Sequence, residues 1–253
     1  MHEDHLFTYA TTASGNRIER RALTGDPGTL GLGPAEVLVE AIPAAGNHNG
    51  GRLAIGPDGM LYATTGDAGR PESAQDLESL AGKILRLTPD GTVPTDNPFP
   101  GSLVWSVGHR NPQGIAWAGD DTMVASEFGQ NTWDELNLIE PGGNYGWPEV
   151  EGIADQDGRI DPLLQWAPEE ASPSGIAIAN DVVYVANLRG QRLRAVPLKD
   201  PDSVRELLVG EAGRLRDVAL APDSSLWVLT NTTDGRGEAA EGGDRILRLV
   251  PPP

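Results

Sequence analysis

The chain contains no cysteine, only 5% aromatic residues and no extended run of Lys and Arg. The first absence excludes disulfides, thiolate metal sites and a cysteine nucleophile. It leaves the redox compartment open, because a cysteine-free chain suits either side of a membrane. Basic residues are scarce: 19 Lys and Arg stand against 37 Asp and Glu, for a formal net charge of -18. Phosphate backbones and acidic lipid surfaces would each need a strong basic patch, so nucleic-acid and lipid-surface binding are excluded. No segment approaches the roughly 20 apolar residues that span a bilayer, which excludes membrane insertion. Met1-His2-Glu3-Asp4-His5 also lacks the basic start and apolar stretch of a signal peptide.

What is present points to short strands. The 253 residues with 38% hydrophobic content suffice for a real core, read here as one domain over 1–253. The 32 Gly and 21 Pro exceed ordinary usage without a strict period, as expected of an all-β chain turning often. One phrase recurs, a small residue and an aliphatic one before Ala, then a turn, then an apolar run. It occurs at Gly51-Arg52-Leu53-Ala54, Gly114-Ile115-Ala116, Gly175-Ile176-Ala177 and Asp217-Val218-Ala219. The shared Ala residues at 54, 116, 177 and 219 are spaced 62, 61 and 42 apart, the shortest interval matching a four-stranded propeller blade of about 40–50 residues. Four hairpins of one kind are predicted, each followed by a further strand: Lys83 to Leu87, Glu135 to Ile139, Arg192 to Val196 and Arg245 to Leu249. Those later strands mostly alternate apolar with polar, as outer blade strands should. The helical signal is confined to one short turn within Ala74 to Leu80. At the front, Leu6 to Thr12 and Asn16 to Leu23 read as outer strands of a blade whose first hairpin is missing, so the propeller is expected to be N-terminally incomplete, with about four to five blades.

Two segments carry chemistry in Gly-rich and Asn-rich contexts: Asn47-His48-Asn49-Gly50-Gly51-Arg52-Leu53 and Gly108-His109-Arg110-Asn111-Pro112-Gln113-Gly114. An imidazole such as His48 serves as a base near neutral pH, and glycines beside it let a ligand or backbone approach closely. The residues before inner propeller strands lie near the channel mouth, which would bring His48, Arg110, Arg214 and Arg216 to one point. Guanidiniums there suit a small polyanion with carboxylates. Gly213-Arg214-Leu215-Arg216-Asp217 reads equally as an alternating strand with solvated ends. Gly129-Gln130-Asn131-Thr132-Trp133-Asp134-Glu135 and Asp155-Gln156-Asp157-Gly158 are candidate hard-cation loops, and plain turns otherwise. Gly142 to Pro148 reads as structural, its aromatics covering the end of a blade.

Taken in order, the two segments above, Gly66-Asp67, Ala81-Gly82-Lys83-Ile84-Leu85-Arg86-Leu87, Asp96-Asn97-Pro98, Gly143-Asn144-Tyr145-Gly146-Trp147-Pro148 and Gly213 to Asp217 resemble the soluble glucose/sorbosone dehydrogenase family. This family includes aldose sugar dehydrogenases dependent on pyrroloquinoline quinone (PQQ). The resemblance implies a six-bladed quinoprotein propeller holding PQQ and Ca²⁺, and a sugar oxidised at its anomeric carbon to the lactone. It makes His48 the general base and Arg110 the group that polarises the reacting quinone carbonyl. Asn111 would support Arg110, while Arg214 and Arg216 would hold cofactor carboxylates. Arg189 stands where the family often has Lys. Asp67 would line the sugar or cofactor pocket, and Gly129 and Gln130 would give carbonyls to Ca²⁺, with Asp155 a further metal candidate. Asn47 replaces the Asp that precedes the base in some members, so an orienting carboxylate is not supplied from the adjacent position. The family further implies an unidentified electron acceptor and a periplasmic or secreted location. Two other readings follow from the sequence: a non-catalytic propeller, either a binding module or an inactive fragment, and a metal-dependent lactonase on a similar propeller.

Overall fold

The computed structural model describes residue 2 and residues 4–237 and 242–251. It is all-β, a five-blade β-propeller arrangement of antiparallel sheets, and it divides into two compact units. The first comprises Met1–Asn111 with Pro141–Pro148, and the second Pro112–Glu140 with Glu149–Pro253.

In the first unit, β1 (His5–Thr12) and β2 (Gly15–Thr24) form a hairpin, and β2 takes on both the two-residue β3 (Gly31–Leu32) and β4 (Glu36–Ile42). The next sheet runs in chain order through β5 (Leu53–Ile55), β6 (Leu61–Thr65), β7 (Lys83–Leu87) and β8 (Val104–Val107). Ile18, Val39 and Ile42 of the first sheet meet Leu61, Leu85, Leu87 and Val104 of the second in one buried cluster. Each such side chain stabilises the unit by about 1.5–3 kcal/mol through removal from water.

The second unit holds three sheets. These are β9 (Pro112–Trp117), β10 (Met123–Glu127), β11 (Asp134–Ile139) and β12 (Leu164–Trp166); then β13 (Pro173–Ala179), β14 (Val182–Asn187), β15 (Arg192–Pro197) and β16 (Arg205–Leu207); and finally β17 (Leu215–Leu220), β18 (Leu226–Thr230) and β19 (Ile246–Leu249). Two apolar clusters fill the spaces between consecutive sheets, one around Val124, Leu136, Ile176 and Val185 and one around Tyr184, Leu193, Leu215 and Val228.

The four repeated phrases are the four hairpins. Their shared Ala residues take equivalent places: Ala54 opposite Tyr62, Ala116 opposite Val124, Ala177 opposite Tyr184 and Ala219 opposite Trp227. The turn at Gly56-Pro57-Asp58-Gly59 closes through Gly56 N to Met60 O (2.9 Å) and Gly59 N to Gly56 O (3.0 Å). Asp58 Oδ1 accepts from Met60 N at 3.1 Å. Ala221-Pro222-Asp223-Ser224 repeats this geometry with Ser224 at φ 62 where the first turn has glycine.

Two expectations change. In the three sheets that run β5–β8, β9–β12 and β13–β16 the third strand is interior, because β8, β12 and β16 pair along its far side. All five residues of β7 are consequently buried, including Lys83 and Arg86. Their polar ends are satisfied inside the protein. Lys83 Nζ donates to the carbonyls of Ser73, Ala74 and Ala81 at 2.7, 3.0 and 2.7 Å, and burial pushes its pKa down to about 8. Arg86 reaches Asp58, Asp96 and Asn97. The helical turn is also displaced, to a 3-10 turn over Pro71–Ala74, since Pro71 presets φ at its start.

Candidate active site

The first unit pairs an imidazole with a carboxylate. His48 Nδ1 lies 2.8 Å from Asp67 Oδ1. Asp67 is 1% exposed, and burial opposes its ionisation. Hydrogen bonds from His48, the Gly69 amide and the Trp147 indole outweigh that penalty and hold its carboxyl below the usual range. An ionised carboxylate only accepts, so Nδ1 carries the proton and Nε2 is left as the basic atom. The orienting carboxylate missing at position 47 is thus supplied from position 67. Asp67, expected on a pocket wall, has its oxygens engaged by protein donors: Oδ1 by His48 and Gly69 N, Oδ2 by Trp147 Nε1 at 2.9 Å.

The local backbone explains the glycines. His48 has φ 52, a conformation that costs a non-glycine residue about 1–2 kcal/mol. Its carbonyl accepts from Ala68 N at 3.1 Å, and a Cβ on Gly66 would sit 2.0 Å from that carbonyl oxygen. Gly50 donates to Asn111 Oδ1 at 3.1 Å, and a Cβ there would meet Thr64 O at 2.6 Å. The first sheet secures the same loop, since Tyr9 Oη donates to Asn49 O at 2.8 Å and Asn16 Nδ2 to Asn49 Oδ1 at 3.1 Å.

Arg110 follows on the adjoining segment. Its carbonyl accepts from Asp67 N at 2.8 Å, and its guanidinium carbon lies 5.5 Å from the centroid of the Trp147 ring. His109 is different, being 0% exposed, with Nε2 at 2.8 Å from Ser106 Oγ and its ring stacked on Tyr145 at 4.8 Å. Of the two imidazoles singled out in the sequence, His109 therefore belongs to the core. Trp147, expected to cover the end of a blade, also touches Asp67 and Arg110. The available signal was that a buried indole N–H requires an acceptor.

The second unit carries the remaining candidates. Arg214 is 8% exposed and binds Asp234 Oδ2 through Nη2 at 3.0 Å and Nε at 3.3 Å. Arg216 is half-buried in β17, and Arg189 is exposed on the turn between β14 and β15. In the loop after β10, Gly129 N donates to Asp134 Oδ1 at 2.9 Å. The amides of Gln130, Thr132 and Trp133 converge on Glu151 Oε1 at 2.9, 3.0 and 2.9 Å. Asp155 lies on an exposed loop tied instead to Asp161, whose Oδ2 accepts from Asp155 N at 3.2 Å. Beneath, Glu127 and Glu135 stand directly opposite each other in β10 and β11, both buried. Burial, then the Glu127 charge, pushes the Glu135 carboxyl up to about 8. Among the described residues no three His, Asp or Glu side chains gather as a metal-binding group, and no helix is long and apolar enough to cross a membrane.

Comparison with known proteins bears on this arrangement. A solved PQQ-bound aldose sugar dehydrogenase from Streptomyces coelicolor matches with a TM-score of 0.94 and 51% identity, over 98% of this chain and 76% of that one. Aldose sugar dehydrogenase YliI of Escherichia coli is 34% identical over 76% of this chain and 59% of its own length. Uncharacterized protein slr1608 of Synechocystis sp. is 34% identical over 91% of this chain and 65% of its own length. The chain thus spans less than two thirds of these curated relatives. The family model for Glucose / Sorbosone dehydrogenase matches residues 5–247, and the chain belongs to that family.

Proposed function

We propose that the chain oxidises an aldose at its anomeric carbon to the lactone with PQQ and Ca²⁺. The observation that carries this reading is the His48–Asp67 pair, in which Nδ1 is engaged by the carboxylate and Nε2 is the ring nitrogen left for proton transfer. The donor set suits the cofactor. Guanidiniums at Arg110, Arg189, Arg214 and Arg216 match its carboxylate and carbonyl oxygens, with Asn111 beside Arg110. The cation loop suits a hard ion. Gln130 N–H points at Glu151, so in a trans peptide the Gly129 carbonyl points the opposite way. Gln130 and Asp155 complete the proposed oxygen donors.

When bound, PQQ would supply a hydride acceptor for the sugar's anomeric carbon and Ca²⁺ a Lewis acid. His48 Nε2 takes the proton of the anomeric hydroxyl, and Asp67 stabilises the imidazolium so formed. Arg110 places positive charge where negative charge develops on an oxygen. Arg214, held by Asp234, and Arg216 would bind cofactor carboxylates, and an external acceptor would take up the electrons. Action outside the cytoplasm, in the periplasm or beyond, belongs to the same proposal.

The test is titration of the purified chain with PQQ in Ca²⁺, following cofactor absorbance and aldose-dependent dye reduction. Wild type should bind and turn over, and His48→Ala should bind without turnover. Failure of wild type to bind PQQ refutes the proposal.

A further inference from the structure

Trp147 is the residue shared by the two groups on which the proposed reaction depends. Its Nε1–H donates to Asp67 Oδ2 at 2.9 Å, while its ring face lies under the Arg110 guanidinium at 5.5 Å from centroid to guanidinium carbon. The residue is 8% exposed and fixed along its backbone. Its N–H donates to Gly108 O at 3.0 Å, and its carbonyl accepts from Gln75 Nε2 at 2.7 Å. Gln75 is itself bound to Asn144, with Nε2 at 3.1 Å from Asn144 Oδ1 and Oε1 accepting from Asn144 Nδ2 at 2.7 Å. The indole therefore has little freedom to turn, and neither do the two groups it touches.

We infer that Trp147 is a positioning residue that sets the carboxylate behind the base and the guanidinium together. Its N–H serves the Asp67–His48 side and its π face serves the Arg110 side. The N–H fills one oxygen of Asp67, so His48 is left the other. A carboxylate whose second oxygen lacked that donor would rotate or take a proton, and either change disturbs the Nδ1–H bond. The ring face restricts a long flexible cation to one plane, from which its N–H groups are aimed. The consequence for turnover rests on the dehydrogenase reading, whereas the coupling itself is a property of the cofactor-free protein.

The two roles separate by substitution. Trp147→Phe keeps a ring face and removes the donor, and Trp147→Gln keeps a donor and removes the face. In the cofactor-free protein the downfield Nδ1–H proton resonance of His48 should move upfield or vanish in Trp147→Phe and persist in Trp147→Gln. The Arg110 Nε–H resonance should respond in the opposite sense. In the PQQ- and Ca²⁺-loaded enzyme each variant should lower kcat about tenfold with KM little changed, the scale of one charge-assisted hydrogen bond. A folded Trp147→Phe with an unaltered His48 resonance overturns the inference, even if the loaded enzyme shows no turnover at all. Asp67→Asn reads the same bond from its other end, and decides if the Trp147 variants do not fold. There the indole Nε1–H should move, and an unmoved signal overturns the inference equally.

Discussion

Replacing Glu135 with Gln should stabilise the protein, and by an amount that grows with pH. The carboxyl is 8% exposed, accepts from Gly152 N at 2.7 Å and from Asn137 Nδ2 at 3.1 Å, and faces Glu127 across the strand pair. Burial and the Glu127 charge raise it from the ordinary 4.5 to about 8. The folded state therefore holds a proton that the unfolded chain releases, so the associated stability is complete below about pH 4.5 and is lost as pH rises through about 8. A shift of that size corresponds to a ceiling of about 5 kcal/mol, and sharing of charge with Glu127 brings the expected difference to about 2–3 kcal/mol. Glutamine is accommodated without strain. Its oxygen keeps the Gly152 bond, and Asn137, whose Oδ1 has no partner and which is 0% exposed, can turn its amide to accept from the new Nε2. Urea unfolding of both proteins at pH 5, 7 and 9, with a chelator present, gives the test. The gap between variant and wild type should open across that range, and a gap that stays constant refutes the titration argument.

Three further outcomes follow from the site. Asp67→Asn presents an N–H to His48 Nδ1, forces the proton onto Nε2 and should cut kcat by about 10³-fold with cofactor binding retained; steady-state kinetics at saturating PQQ decides it. Glu151→Ala removes the acceptor of three loop amides, so half-maximal PQQ binding should require about tenfold more Ca²⁺, the scale of lost charge-assisted hydrogen bonds. An unchanged Ca²⁺ requirement would dissociate that loop from the cation. Arg214→Lys replaces a fork that holds Asp234 at 3.0 and 3.3 Å with a point charge; PQQ affinity should fall about tenfold while kcat at saturation stays level, as read by absorbance titration.

The hairpins were legible because the sequence repeats both the Ala and the turn that follows it. The fourth strands were not, since β12 and β16 have three residues each and β8 has four, too few to show a period. The third strands misled for a chemical reason: Lys83 and Arg86 look like solvent-facing residues until the carbonyls and carboxylates that receive them are known. Within the site, His48 and Arg110 stood out through their glycine-rich surroundings. Asp67 was legible as a pocket residue but its pairing with His48 and Trp147 was not, because Asp67 meets Trp147 across 80 positions and no local pattern encodes that contact. His109 shows the converse, an imidazole in a site-like motif that the fold spends on Ser106 and Tyr145.

The contribution of Pro141–Pro148 to the first unit sets an order of events during synthesis. Residues up to Asn111 can leave the ribosome and begin pairing their strands, but the indole that fills Asp67 Oδ2 arrives 36 residues later (147 − 111). At about 5–20 residues per second that is a delay of roughly 2–7 s. During this interval the carboxylate beside His48 has no indole donor, and the strands of the intervening sheet are still emerging. A nascent chain stalled before residue 141 should therefore hold a half-formed base site, open to protonation and to proteolysis, which the next few residues close.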